Sequence, residues 1–220
     1  TAGAVAANPA AATQIPRLPA TRREITRIAE IFKQAGTQAD VLLDLQANEA
    51  ELTKRKLPQY RFLHLATHGL LNADRPQFSG LLLSLVGNPE GYDGFLRTQE
   101  VFELRLGSPL VILSACKTGL GRYRKGEGLV GLTRAFHYAG APTVGVSLWP
   151  VDDDSTAALM TLFYRRLLPA RTAGGKAHSG VADLTGALRS AQLQLIEERR
   201  YSAPFFWAPF VLVGDYRLRS

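Results

Sequence analysis

Pro109-Leu-Val-Ile-Leu-Ser-Ala-Cys116-Lys-Thr-Gly-Leu-Gly121 is the stretch that decides how the rest of the chain reads. Leu110 to Leu113 is a continuous apolar run with β-branched members, short enough for a strand buried on both faces. It ends in small residues, then the only cysteine of the chain, then two glycines that let the backbone turn. A thiol at the carboxyl end of a buried strand stands where open α/β sheets place their ligands. The earlier run Arg61 to Thr67 ends in the same way, at His68-Gly69. Two strands therefore bring a thiol and an imidazole to one edge of a sheet, the layout of a Cys–His nucleophile pair.

At 220 residues the chain suits one α/β domain. Its 46% apolar and 20% charged shares are those of a soluble globular protein, and no apolar run approaches the length of a membrane span. The start lacks the charged-then-apolar pattern of a signal peptide. One cysteine forms no internal disulfide and builds no cysteine-rich zinc site, which points to a reducing, cytoplasmic setting. The net charge of +7 is scattered over short clusters such as Arg22-Arg23, Lys54 to Lys56 and Arg199-Arg200. With no basic stripe interleaved with aromatics, it reads as a solvated surface and not as a nucleic-acid footprint.

Residues 1–20, rich in Ala, Pro, Thr and Asn, read as a flexible N-terminal arm or linker, and 21–220 as the domain. Thr21 with Glu24 forms a capping-box pattern ahead of a helix carrying Ile25, Ile28 and Phe32 and stopped by Gly36. Val41 to Leu45 reads as a short strand, and Asn48 as the cap of a helix from Glu49 to Leu57. Ser79 to Val86 reads as a strand, followed by a turn region from Gly87 to Gly94 and a short helix from Thr98. After the Cys116 strand come a helix from about Gly128 to Tyr138, a buried strand from Thr143 to Leu148 and a helix from about Ser155 to Leu168. A helix from Leu184 to Arg199 and a closing strand from Phe210 to Val213 complete the pattern. Strands alternating with helices predict a three-layer α/β sandwich around a mostly parallel central sheet.

Taken singly, a buried cysteine is ordinarily a small apolar residue and a histidine at a strand end a hydrogen-bonded structural one. Here both stand at equivalent strand ends, 48 positions apart, close to the ~50 that separates a caspase His from its Cys. In this reading His68 takes the Cys116 proton and later protonates the leaving amine. Gly69 has no side chain to block an approaching carbonyl, and its amide and that of Cys116 form the oxyanion hole. His64, four residues before His68 on the same strand face but deeper, reads as structural. No metal or cofactor is needed for this chemistry. Gly119-Leu-Gly121 lacks the spacing of a phosphate loop, which ranks a nucleotide-binding domain lowest.

Several motifs follow in order: Leu65-Ala-Thr-His68-Gly69, Leu113-Ser-Ala-Cys116-Lys-Thr-Gly119, Gly126-Glu-Gly128 and Ala139-Gly-Ala141. Leu148-Trp-Pro-Val-Asp-Asp153, Ala187-Leu188-Arg189, Ala191-Gln192 and Trp207-Ala-Pro-Phe210-Val-Leu-Val-Gly-Asp215 complete the set. The chain resembles, over about residues 20–216, the CHAT-domain family of bacterial caspase-like cysteine peptidases related to separases. The resemblance implies a caspase-type sandwich with His68 and Cys116 as catalytic dyad, acting on a protein or peptide substrate. The strands that usually open such a domain are missing, which implies a piece of a longer chain, and Thr172 to Gly180 looks like an insertion. Such domains often follow tetratricopeptide repeats, so a regulatory repeat domain or activating partner is an expected companion.

Asp152-Asp153-Asp154 supplies a helix cap in its plain reading. In separases a similar Leu-Trp-x-Val-x-Asp segment supplies an acid that pairs with a basic side chain before the scissile bond. Carried onto this chain, that acid is Asp153, with Asp152 beside it as a second substrate-binding candidate, and cleavage follows Arg or Lys. The basic loops Arg122 to Lys125 and Arg171 to Lys176 are solvated surface in one reading and autoprocessing sites in the other. An interaction or sensor module that keeps the fold without turnover is the alternative function.

Overall fold

The computed structural model describes residues 17–72, 75–117, 127–168 and 183–215. Six strands, β1 (Phe62–Leu70), β2 (Gly80–Leu82), β3 (Phe95–Arg97), β4 (Leu110–Lys117), β5 (Thr143–Ser147) and β6 (Phe210–Gly214), form one sheet in the order β3-β2-β1-β4-β5-β6. The three central strands β1, β4 and β5 are parallel, and antiparallel strands finish the sheet on both sides. The expected caspase-like α/β sandwich is the fold observed.

β4 earns its central place by composition. Leu110, Val111, Ile112 and Leu113 are each at most 2% exposed. Alternation sends Leu110 and Ile112 into one core, with Val111 and Leu113 in the other. The first core lies under α1 (Pro19–Gln34), α5 (Asp153–Leu167) and α6 (Leu184–Glu197), through Ile28, Ile31, Leu159, Phe163 and Leu188. The second lies under α3 (Thr98–Glu103) and α4 (Glu127–Tyr138), with Val101, Leu132 and Phe136. Each fully buried Leu, Ile or Phe side chain contributes about 2 kcal/mol relative to exposure.

Several boundaries differ from expectation. α1 starts at Pro19, whose fixed φ suits the first turn, with Leu18 as N-cap. Thr21 instead donates its hydroxyl to the Leu18 carbonyl at 2.7 Å, and Glu24 is buried and turned inward, so no capping box forms. Asn48 does cap the next helix, accepting from the Glu51 amide at 2.8 Å, but α2 (Glu49–Thr53) ends early and Leu57–Gln59 is a 3-10 turn. Val41 to Leu45 makes no strand. Leu43 is extended (φ −129°, ψ 153°), yet the segment has no ladder partner among the described residues and passes into a 3-10 turn at Asp44–Gln46. Of Ser79 to Val86 only Gly80–Leu82 pairs. The presumed insertion Thr172 to Gly180 and both basic loops lie outside the described residues.

Gly140 leads from α4 into β5 with φ +111°, and a Cβ there would sit 2.3 Å from the Leu106 carbonyl oxygen. Gly140→Ala therefore meets backbone strain and a clash together and destabilises the domain by about 2 kcal/mol or more, read as a lowered urea midpoint.

Candidate active site

β1 and β4 run side by side in register from Phe62↔Leu110 to Gly69↔Lys117, and this ladder sets His68 level with Cys116. Neighbouring strands lie about 4.8 Å apart, and residues level with each other in a parallel ladder share a face. Positions 64, 66 and 68 of β1 thus share the face of positions 112, 114 and 116 of β4. This is the face of the Ile112 core, below α1 and α5. His68 is 7% exposed. Its strand does not stop there: it runs to Leu70, so buried Gly69 sits in two ladders, opposite Lys117 on one side and Leu81 on the other. Thr67 donates its hydroxyl to the Leu82 carbonyl, and Ser147 donates to the Ala115 carbonyl at 3.1 Å. These two bonds fasten β2 to the residue before His68 and β5 to the residue before Cys116.

The three carboxylates that open α5 divide the work. Asp152 is the N-cap, accepting from the Ser155 amide at 2.9 Å. Asp154 faces outward and pairs with Arg23 and with Arg200, the latter at 3.4 Å. Asp153, with Ser114, Glu24, Thr21, Thr156 and Leu18, lines a small cavity against β4. Ser114 is two residues before Cys116 on the same face, so of the three acids Asp153 is the one that lines a cavity bordering the candidate thiol's strand.

Deeper on this face lies a polar cluster within apolar walls. His64 Nε2 lies 2.7 Å from Glu24 Oε1, and its Nδ1 lies 3.2 Å from the Tyr164 hydroxyl. The side chains of His64 and Glu24 are 8% and 2% exposed. The geometry lets the imidazole donate to the carboxylate and accept the phenol proton, so each buried polar group is matched. Burial first, and the Glu24 charge second, push the Tyr164 hydroxyl far above the usual phenol range. His64 is structural, as its position predicted. Glu24 and Tyr164 were invisible as its partners because they lie 40 and 100 positions away. Among the described residues no group of three or more His, Cys, Asp or Glu side chains could hold a metal ion, and no helix is long and apolar enough to cross a membrane.

Two known proteins share part of this sequence. Tetratricopeptide repeat protein 28 of Mus musculus is 36% identical over 126 residues, 57% of this chain and 5% of that protein. Tetratricopeptide repeat protein 28 of Homo sapiens is 32% identical over 126 residues, with the same shares. The chain thus spans a small part of the length of these relatives. A match to the CHAT domain runs over residues 1–215, nearly the whole sequence, and the chain belongs to the CHAT-domain family.

Proposed function

We propose that this domain is a cysteine endopeptidase working through a Cys116–His68 dyad. The observation that carries the reading is the ladder register that levels residue 68 with residue 116 on one sheet face. His68 takes the proton of Cys116, and the thiolate sulfur attacks the peptide carbonyl carbon. The amides of Gly69 and Cys116 are the assigned donors to the oxyanion. The C–N bond then breaks, the leaving amine takes the proton from His68, and a thioester remains. Water, deprotonated by His68, attacks this thioester; the carboxyl product leaves and the thiol is restored.

Asp153 is assigned to a basic side chain before the scissile bond, while Asp152 serves the helix as its cap. A reducing cytoplasm suits a nucleophilic thiol. The domain acts under a repeat domain or activating partner, and the printed names of the two relatives support that association.

Fluorogenic peptides ending in Arg, Lys, Asp or Leu test the reading. Arg and Lys substrates are cleaved, and Asp153→Ala lowers kcat/KM on them by about 30-fold or more, the cost of losing one partner of a shielded charge pair. An unchanged preference in Asp153→Ala removes that residue from the pocket. Cleavage of none of the peptides, together with an inert thiol, favours the interaction-module reading.

A further inference from the structure

The small cavity between α1, α5 and β4 is bordered mostly by oxygen-bearing side chains. Thr21 and Glu24 belong to α1, Asp153 and Thr156 to α5 and Ser114 to β4, and Leu18 completes the wall. The cavity measures about 10 Å³, and roughly 10–15 Å³ of such space holds one water. Protons and lone pairs around it do not balance. Thr21 spends its hydroxyl proton on the Leu18 carbonyl, and Thr156 spends its own on the Asp152 carbonyl. Glu24 spends Oε1 on His64, and its Oε2 has no hydrogen-bond partner among the described residues. Ser114, 4% exposed on the α1–α5 face of β4, likewise has none for its hydroxyl. Two carboxylates and two threonine oxygens thus offer lone pairs against one available proton, that of Ser114. Buried polar atoms are ordinarily matched. The partner that matches these is a small molecule that donates two hydrogen bonds and accepts one.

We propose that one buried water occupies this cavity, accepting from Ser114 and donating to Glu24 and Asp153, and that Ser114 and Glu24 are thereby positioning residues for Asp153. About three hydrogen bonds is the usual number for a buried water. Standing between two carboxylates and donating to both, the water also eases their mutual repulsion. It extends the chain Tyr164–His64–Glu24 from β1 and α1 to the first turn of α5. One hydrogen-bonded line then runs from the buried imidazole to the carboxylate assigned to the basic side chain of a substrate. The positioning role rests on that assignment of Asp153; the water does not. Ser114 makes no direct hydrogen bond to Asp153, so a change at residue 114 reaches that carboxylate through the water.

A high-resolution crystal structure of the 220-residue chain, with carbon-13 NMR titration of the Asp153 carboxyl, tests the proposal. The expected density is one water within about 3.2 Å of oxygens of Glu24, Ser114 and Asp153. A dry cavity would overturn the proposal, and so would five or more oxygens at about 2.3–2.6 Å, the mark of a cation. Ser114→Val replaces the hydroxyl with one methyl and fills the space with the other. The Asp153 carboxylate then loses a donor, and its titration midpoint rises by about half a pH unit or more. Should that variant fail to fold, Ser114→Ala removes only the donor to the water and gives a rise in the same direction. An unchanged midpoint in the folded variant would overturn the proposal. On Arg peptides the same variant raises KM about threefold or more and leaves kcat in place, a split that general loosening of the fold does not produce. Failure of the pocket reading looks different: Asp153→Ala leaves the peptide preference unchanged, while the density and the titration still report the water.

Discussion

Cys116→Ala abolishes peptide hydrolysis, with kcat lowered by about 10,000-fold or more, and His68→Ala has an effect of similar size. The two losses do not add. A nucleophile without its base and a base without its nucleophile are equally idle, so the double variant falls to the level of the single ones. Cys116→Ala is expected to leave the fold in place. Cys116 stands at the carboxyl end of β4, beyond the run Leu110 to Leu113 that forms the core, so urea midpoints move little. Single-turnover kinetics on an Arg peptide, beside urea unfolding, gives both readings. A Cys116→Ala protein that still turns over would end the dyad account.

His64→Leu carries the largest expected cost in stability. Glu24 is 2% exposed and has its imidazole partner 2.7 Å away; removing the imidazole leaves a carboxyl group stranded under α1, and the Tyr164 hydroxyl loses its acceptor too. Loss of one member of such a buried pair costs about 3–5 kcal/mol. Replacing both, as Glu24→Leu/His64→Leu, removes the stranded group and restores most of the loss, because an apolar pair of similar volume needs no partner. Urea unfolding of both single variants and the double gives the coupling energy. Single costs below about 1 kcal/mol, or strictly additive costs, would show that the contact holds nothing. Turnover per folded molecule stays unchanged if His64 anchors β1 without touching substrate.

The centre of this fold was legible because its strands are continuous apolar runs. Leu110 to Leu113 and Thr143 to Ser147 are buried on both faces, and burial on both faces leaves its mark in composition alone. The outer strands are three residues each on the β2–β3 side, too short to show a period. Thus Ser79 to Val86 looked like one long strand, although the ladder takes only Gly80–Leu82. Val41 to Leu45 has strand composition but no neighbour to pair with among the described residues, and a strand is a property of two segments.

At the candidate site, the sequence placed His68 and Cys116 near the carboxyl ends of two strands, and the ladder sets the two positions level. The division of labour among Asp152, Asp153 and Asp154 depends on which way each side chain leaves the first turn of α5, which composition does not encode. Glu24 followed a capping pattern in the sequence and a buried imidazole in the fold; tertiary pairing with His64 overrode the local signal.

The rate at which an alkylating reagent modifies the thiol tests the central claim most directly, since this chain holds one cysteine and the readout belongs to Cys116 alone. The Cys–His account predicts fast alkylation near neutral pH, slowed about tenfold or more in His68→Ala, because the imidazole no longer draws the proton from sulfur. Slow alkylation at the same rate in both proteins would contradict it and mark Cys116 as a structural thiol.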